Sequence, residues 1–198
     1  MSEQGFDEIR KKGLAVVFPG IGYHKDKPLL YYSIKLARTY GYEILNVEYH
    51  DMPSKIQGDK AMMKKAYDIA REQVLEQLDG VNFAEYDKVC FIGKSIGTIL
   101  AAGYAAEHKL SPKQIWYTPL EATFSFEACS PQDVIAFIGD DDPWSVVEDV
   151  KKLAVKCNIM MPSYPHCNHS LESGDVTADI EVLRDVMKKT KEFMDTFD

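Results

Sequence analysis

Five residues constrain this chain more than any other stretch. Gly93-Lys94-Ser95-Ile96-Gly97 follow the strand-like run Lys88-Val89-Cys90-Phe91-Ile92 and precede the small-residue segment Thr98-Ile99-Leu100-Ala101-Ala102-Gly103. The pattern predicts a strand, a sharp turn and a helix with a serine at the apex. In such a G-x-S-x-G elbow the serine backbone is strained, and the flanking positions must be small because strand and helix approach closely there. Ser95 is therefore the candidate nucleophile. A simpler reading is that the two glycines only permit tight packing and the serine caps the helix. Gly93-Lys94-Ser95 also matches the end of a phosphate-binding loop, but the glycine that motif needs five residues earlier is Lys88, so that reading fails.

Composition narrows the class. The chain has 198 residues, 45% hydrophobic and 27% charged, enough for one well-cored domain. A single domain over 1–198 is the expectation, with no separate lid, since only about a dozen residues part the strands expected near 114 and 134. A net charge of −8 with no lysine and arginine block argues against nucleic acid or an anionic membrane surface as a partner. The N-terminal residues Met1 to Glu8 are polar and acidic, and no stretch approaches the length of a membrane span, so a cytoplasmic protein is expected. Cys90, Cys129, Cys157 and Cys167 lack C-x-x-C spacing and read as reduced, mostly buried thiols.

Strands and helices alternate along the chain. Gly13-Leu14-Ala15-Val16-Val17-Phe18 is a continuous apolar run cut off by Pro19-Gly20, as expected of a strand buried on both faces. A helix follows from Pro28 to a stop at Gly41, then a strand over 43–48. A long amphipathic helix comes next, whose stripe of Met62, Met63, Ala66, Ile69, Ala70, Val74, Leu75 and Leu78 reads as core. Further strands are expected over 88–92, 114–118, 134–139 and 157–161. Helices are expected after Ser95, after Pro143 and from Val176 to Phe193. This is the order of a mostly parallel sheet of about six strands with helices on both faces, because right-handed crossovers carry the helices to the two sides.

In such a sheet the reactive groups gather at the carboxyl ends of the strands. The strand ending at Ile138 leads into Gly139-Asp140-Asp141-Asp142-Pro143-Trp144, and the last expected strand leads through a proline-containing loop to His166-Cys167-Asn168-His169-Ser170. A serine, an aspartate and a histidine thus occur in that chain order, each just after a strand. Asp140 or Asp141 could instead cap the helix after Pro143. His24, His50 and His108 are other candidate bases, though His108 sits where a helix-terminus cation would. His166, Cys167 and His169 invite a metal reading, but nothing elsewhere completes a tetrahedral site.

From Gly13 onward the chain resembles the α/β-hydrolase superfamily, in particular its small, lidless, dienelactone-hydrolase-like serine hydrolases. The resemblance implies a minimal α/β-hydrolase fold without the early antiparallel hairpin. It implies Asp142 as the acid, closing a Gly-x-x-Asp turn before a proline, and His169 as the base, in a motif resembling Asn168-His169-Ser170-Leu171-Glu172. It also implies an oxyanion hole from the backbone amides of Ile21, in the Gly-containing loop after the first strand, and of Ile96. Gly20-x-Gly22 could suggest a dinucleotide fold, but the third glycine would fall at Lys25.

The expected function is a serine hydrolase acting on a small-molecule ester, thioester or related acyl bond, with no cofactor and no metal. The rival is a non-catalytic binding protein that keeps the fold. His169 is expected to titrate near the ordinary imidazole value of about 6.5, pushed upward by Asp142. Lys94 stands in the elbow where several other residue types are common, and the sequence assigns it no role.

Overall fold

The computed structural model describes residues 12–126 and 131–197. Met1 to Glu8 and Cys129 lie outside them. Six strands form one parallel sheet in the order β2-β1-β3-β4-β5-β6. They are β1 (Gly13–Phe18), β2 (Tyr42–Asn46), β3 (Lys88–Lys94), β4 (Lys113–Tyr117), β5 (Val134–Gly139) and β6 (Ser163–Tyr164). The helices are α1 (Pro28–Thr39), α2 (Lys60–Leu78), α3 (Ile96–Glu107), α4 (Val147–Lys156) and α5 (Val176–Met194).

The inner strands are mostly apolar on both faces, which are both covered, with Lys94 on β3 and Gln114 on β4 as buried polar residues among them. Ala15, Val17, Cys90, Ile92, Ile115, Tyr117, Ile135 and Phe137 point to the side where α1 and α5 supply Leu29, Leu30, Ile34, Val186 and Met194. Leu14, Val16, Phe18 and Phe91 point to the side covered by α2 and α3, through Ala66, Ala70, Val74, Leu100 and Ala101. α1 starts on Pro28, whose fixed φ suits a first helical position. The Asp59 and Asp175 side chains accept the otherwise unpaired first-turn amides of α2 and α5.

Two boundaries differ from expectation. The strand expected over 157–161 is displaced: Met160 makes a single bridge to Ile135, and the paired strand is β6, at Ser163–Tyr164. Pro162 lies between them. It has no N–H to donate, although its carbonyl still accepts from Ile138 at 3.2 Å, so the ladder is interrupted where the apolar run looked most strand-like. The helix expected straight after Pro143 begins at Val147.

The sheet order reverses between β1 and β3, since the chain leaves β1 toward β2 on one side and builds β3 to β6 on the other. Loops leaving the carboxyl ends of those two strands diverge and leave a crevice between them. Ser95 lies at this point, at the end of β3 and beside Gly20 of the loop after β1.

Candidate active site

Ser95 has φ 56° and ψ −124°, a backbone conformation that side-chain-bearing residues rarely adopt and that costs about 1–3 kcal/mol. The surroundings hold it there. Its N–H donates to the Tyr117 carbonyl at 2.9 Å, and its own carbonyl accepts from the Thr98 amide at 2.8 Å and the Thr98 hydroxyl at 2.7 Å. The glycines beside it leave no alternative. A Cβ on Gly97 would lie 2.0 Å from the Phe18 carbonyl oxygen, and one on Gly93 would lie 2.8 Å from the Thr98 Cα. The elbow is therefore pressed against the end of β1 with no room for a methyl group.

Three side chains from three strand ends meet at this serine. The Ser95 Oγ lies 2.7 Å from the His169 Nε2, and the His169 Nδ1 lies 2.7 Å from the Asp142 Oδ2. The Asp142 side chain is wholly buried, and its other oxygen accepts the Trp144 amide at 2.9 Å, which fixes the carboxylate plane toward the ring. The Trp144 indole lies 5.6 Å from the imidazole and shields it from water on one side.

The loops that carry Asp142 and His169 are built against one another. The Asp141 amide donates to the Cys167 carbonyl at 3.0 Å, and a Cβ on Gly139 would fall 2.1 Å from that same oxygen. The Asn168 Oδ1 accepts the amides of Ser170 and Glu172 at 2.7 and 3.3 Å, closing the tight turn that presents His169.

The competing candidates go elsewhere. Asp140 pairs with Lys151 at 2.9 Å, and Asp141 is exposed with His166 3.8 Å away. Neither caps α4, whose N-terminal residue Val146 makes no side-chain cap. His24 faces Asp26 at 3.4 Å, and His108 ends α3 stacked on Tyr104 at 4.0 Å. The His50 amide and carbonyl are bound by the Gln73 side chain. Among the described residues no group of three metal-binding side chains occurs.

Ile21 and Ile96 flank the serine. Ile96 is the first residue of α3, where amides have no partner within the helix, and Ile21 sits at the tip of a turn closed by Gly20 and Tyr23 at 3.1 Å in both directions. Among the described residues neither amide donates to a backbone carbonyl. Both residues line the same cavity as Ser95 and His169.

That cavity has a volume of about 570 Å³. Its walls include Ile56, Met63, Tyr67, Ile99, Phe126 and Trp144. Met63 belongs to the stripe of α2 that the sequence assigns to the core, and Tyr67 lies one turn further along the same helix. The buried part of that stripe is Ala66, Ala70, Val74 and Leu78, while the N-terminal end of the helix overhangs the cavity. A helical apolar stripe is equally compatible with either role, so periodicity alone could not separate them.

The electrostatics depart from expectation at His169. Its pKa lies below the ordinary imidazole value, first because the ring is buried and next because Lys94 is near; the hydrogen bond and charge of Asp142 only partly offset these. Lys94 is the least expected residue of the site. It is 1% exposed, and burial pulls its ammonium down to about 7 despite the nearby charges of Asp142 and Glu172.

Comparison with solved structures identifies the architecture. The chain is similar to a lidless α/β serine hydrolase of Xanthomonas campestris (12% identity, 93% of this chain and 81% of that one, TM-score 0.58). It is also similar to Est1E of Butyrivibrio proteoclasticus, solved with ferulic acid bound (15% identity, 97% and 92%, TM-score 0.63), and to an α/β serine hydrolase homologue of Coxiella burnetii (13% identity, 91% and 85%, TM-score 0.55). No protein-family model matches the sequence, and no curated protein matches it. At these identities the likeness is one of fold, and the fold is that of the α/β hydrolases, in a minimal version with six parallel strands.

Proposed function

We propose that this protein is a serine hydrolase of small esters, thioesters or related acyl bonds. The single observation that carries the reading is the unbroken chain of two 2.7 Å contacts from Ser95 through His169 to Asp142. In this reading the Ser95 Oγ attacks the acyl carbon while its proton passes to the His169 Nε2. The carbonyl π pair moves onto oxygen, where the Ile21 and Ile96 amides stabilise the charge. Asp142 keeps the Nδ1 proton in place, so that Nε2 is the free base, and stabilises the imidazolium once it forms. Collapse of the intermediate expels the alcohol or thiol with the proton from Nε2, leaving an acyl-serine. Water then repeats the sequence, giving its proton to His169, and releases the acid and the serine.

Apolar walls next to an oxyanion site suit a short aliphatic or aromatic group, and the ferulic acid held by the related Est1E is consistent with an aromatic acyl substrate here. Among the described residues no helix is long and apolar enough to cross a membrane, and Cys90, Cys157 and Cys167 are free thiols, which fits a cytoplasmic enzyme. The test is turnover of 4-nitrophenyl esters of graded chain length by the native protein and by Ser95→Ala. Hydrolysis by the native protein and a fall of roughly a millionfold in the variant are expected. Comparable rates in the two would refute the reading.

A further inference from the structure

The walls of the cavity carry three charged side chains besides the imidazole, and two of them are already partnered. Lys64, at the outer edge on α2, pairs with Asp68 at 2.6 Å. Glu121 accepts the Val146 amide at 2.8 Å. Lys94 differs: its ammonium lies 4.9 Å from the centre of the Tyr23 ring, and among the described residues it has neither a hydrogen bond nor a carboxylate within ion-pair distance. A ring face attracts a cation but does not replace its hydration, so a buried ammonium with only that contact is left short of hydrogen-bond acceptors.

The groups facing Lys94 come from three loops. Tyr23, on the loop after β1, has its hydroxyl committed to the Leu29 amide at 3.1 Å. Asp142, after β5, has one oxygen on the Trp144 amide and the other on His169. Glu172, after His169, is exposed, so water weakens its field. None of them satisfies the ammonium directly. The cavity therefore has apolar walls that include Met63, Tyr67, Phe126 and Trp144, and Lys94, next to the serine, is among the residues that line it.

We propose that Lys94 is the anion-binding residue of this cavity and that the substrate carries a compact carboxylate in addition to the scissile acyl bond. This deepens the serine hydrolase reading and rests on it for the chemistry, though not for the binding. A carboxylate supplies the acceptors the ammonium lacks, and its single charge matches the single cation. Discrimination follows, because a neutral substrate leaves the ammonium unsatisfied. A pH signature follows as well. With the empty site titrating at about 7, the bound carboxylate favours the protonated amine, so preference for the anionic substrate is full below that pH and is lost above it. The titration of His169 is common to both substrates and cancels in their ratio.

The test compares kcat/KM for mono-4-nitrophenyl adipate with that for 4-nitrophenyl hexanoate, which has the same chain length without the carboxylate. In the native protein the adipate-to-hexanoate ratio should fall about tenfold between pH 6 and pH 8. At pH 6 it should fall at least tenfold in Lys94→Met and in Lys94→Gln. A ratio that is flat with pH, or unchanged in a folded Lys94 variant, overturns the proposal; the native pH series keeps it refutable should both variants fail to fold. A second measurement is free of catalysis: calorimetric titration of Ser95→Ala with adipate should show binding that the added Lys94→Met change removes. No binding by Ser95→Ala overturns the proposal. Lys94-dependent binding of adipate by a protein that turns over neither ester would instead sink the hydrolase reading and leave the anion site standing.

Discussion

Three consecutive aspartates give the sharpest test of how this site is built, because they share one loop and differ only in what they reach. Asp142→Asn keeps the side-chain shape, and its amide oxygen can still accept the Trp144 amide. The amide nitrogen then faces the His169 Nδ1, 2.7 Å away in the native protein, and a donor there forces the ring into the tautomer with its proton on Nε2. That tautomer cannot accept the serine proton. The expected loss is roughly ten-thousandfold in kcat, the size seen when a serine protease triad acid is changed in the same way, with far-UV circular dichroism unchanged. Asp140→Asn breaks only the 2.9 Å pair with Lys151, both partners about one-third exposed, which is worth at most about 1 kcal/mol of stability and nothing in catalysis. Asp141→Asn removes an exposed charge facing His166 and should be silent in both respects. The assay is initial-rate hydrolysis of a short 4-nitrophenyl ester by the three purified variants. If Asp140→Asn or Asp141→Asn is the crippled one, or Asp142→Asn retains more than a tenth of native kcat, the assignment of the acid is wrong.

Further outcomes are expected. Because burial and Lys94 lower the His169 pKa and the neutral ring is the competent form, kcat/KM for a neutral ester should reach its plateau from an acid limb centred below about 6.5; a midpoint above 7 would show that Asp142 dominates instead. His169→Gln should remove that limb with the activity, while His166→Gln leaves both in place. Gly97→Ala should fail to accumulate as folded protein, or lose well over about 3 kcal/mol in denaturant titration, since its methyl group would sit 2.0 Å from a backbone oxygen; a stable, active variant would mean the elbow has room. Short-chain esters should be turned over with hyperbolic kinetics, and a rate jump at the micelle concentration of a long-chain ester would point to a covering element.

The parts of this architecture that were legible beforehand are those dictated by local chemistry. Gly93 and Gly97 around Ser95 announce a close approach that no side chain could tolerate, and β1 reads as a doubly buried strand because the run from Gly13 to Phe18 is continuously apolar, and every one of its residues is buried. The last strand was misplaced because apolarity along 157–161 says nothing about where Pro162 interrupts the ladder. Lys94 was illegible for a different reason. A lysine beside a serine is ordinarily a solvated group, and its burial here, with the ammonium 4.9 Å from the centre of the Tyr23 ring, depends on residues brought to it from a distant part of the chain. Residues of the α2 stripe likewise differ only in what tertiary structure brings to them: the core against Ala66, Ala70, Val74 and Leu78, the cavity beside Met63.

The most direct test of the central claim is covalent labelling with a fluorophosphonate, which reacts only with a serine whose proton a neighbouring base removes. Intact-mass analysis of the native protein at pH 7.5 should show one adduct, and peptide mapping should place it on Ser95. Ser95→Ala and His169→Gln should both remain unlabelled under the same conditions. A native protein that does not react, or an adduct that persists in Ser95→Ala, would contradict an activated nucleophile at the elbow.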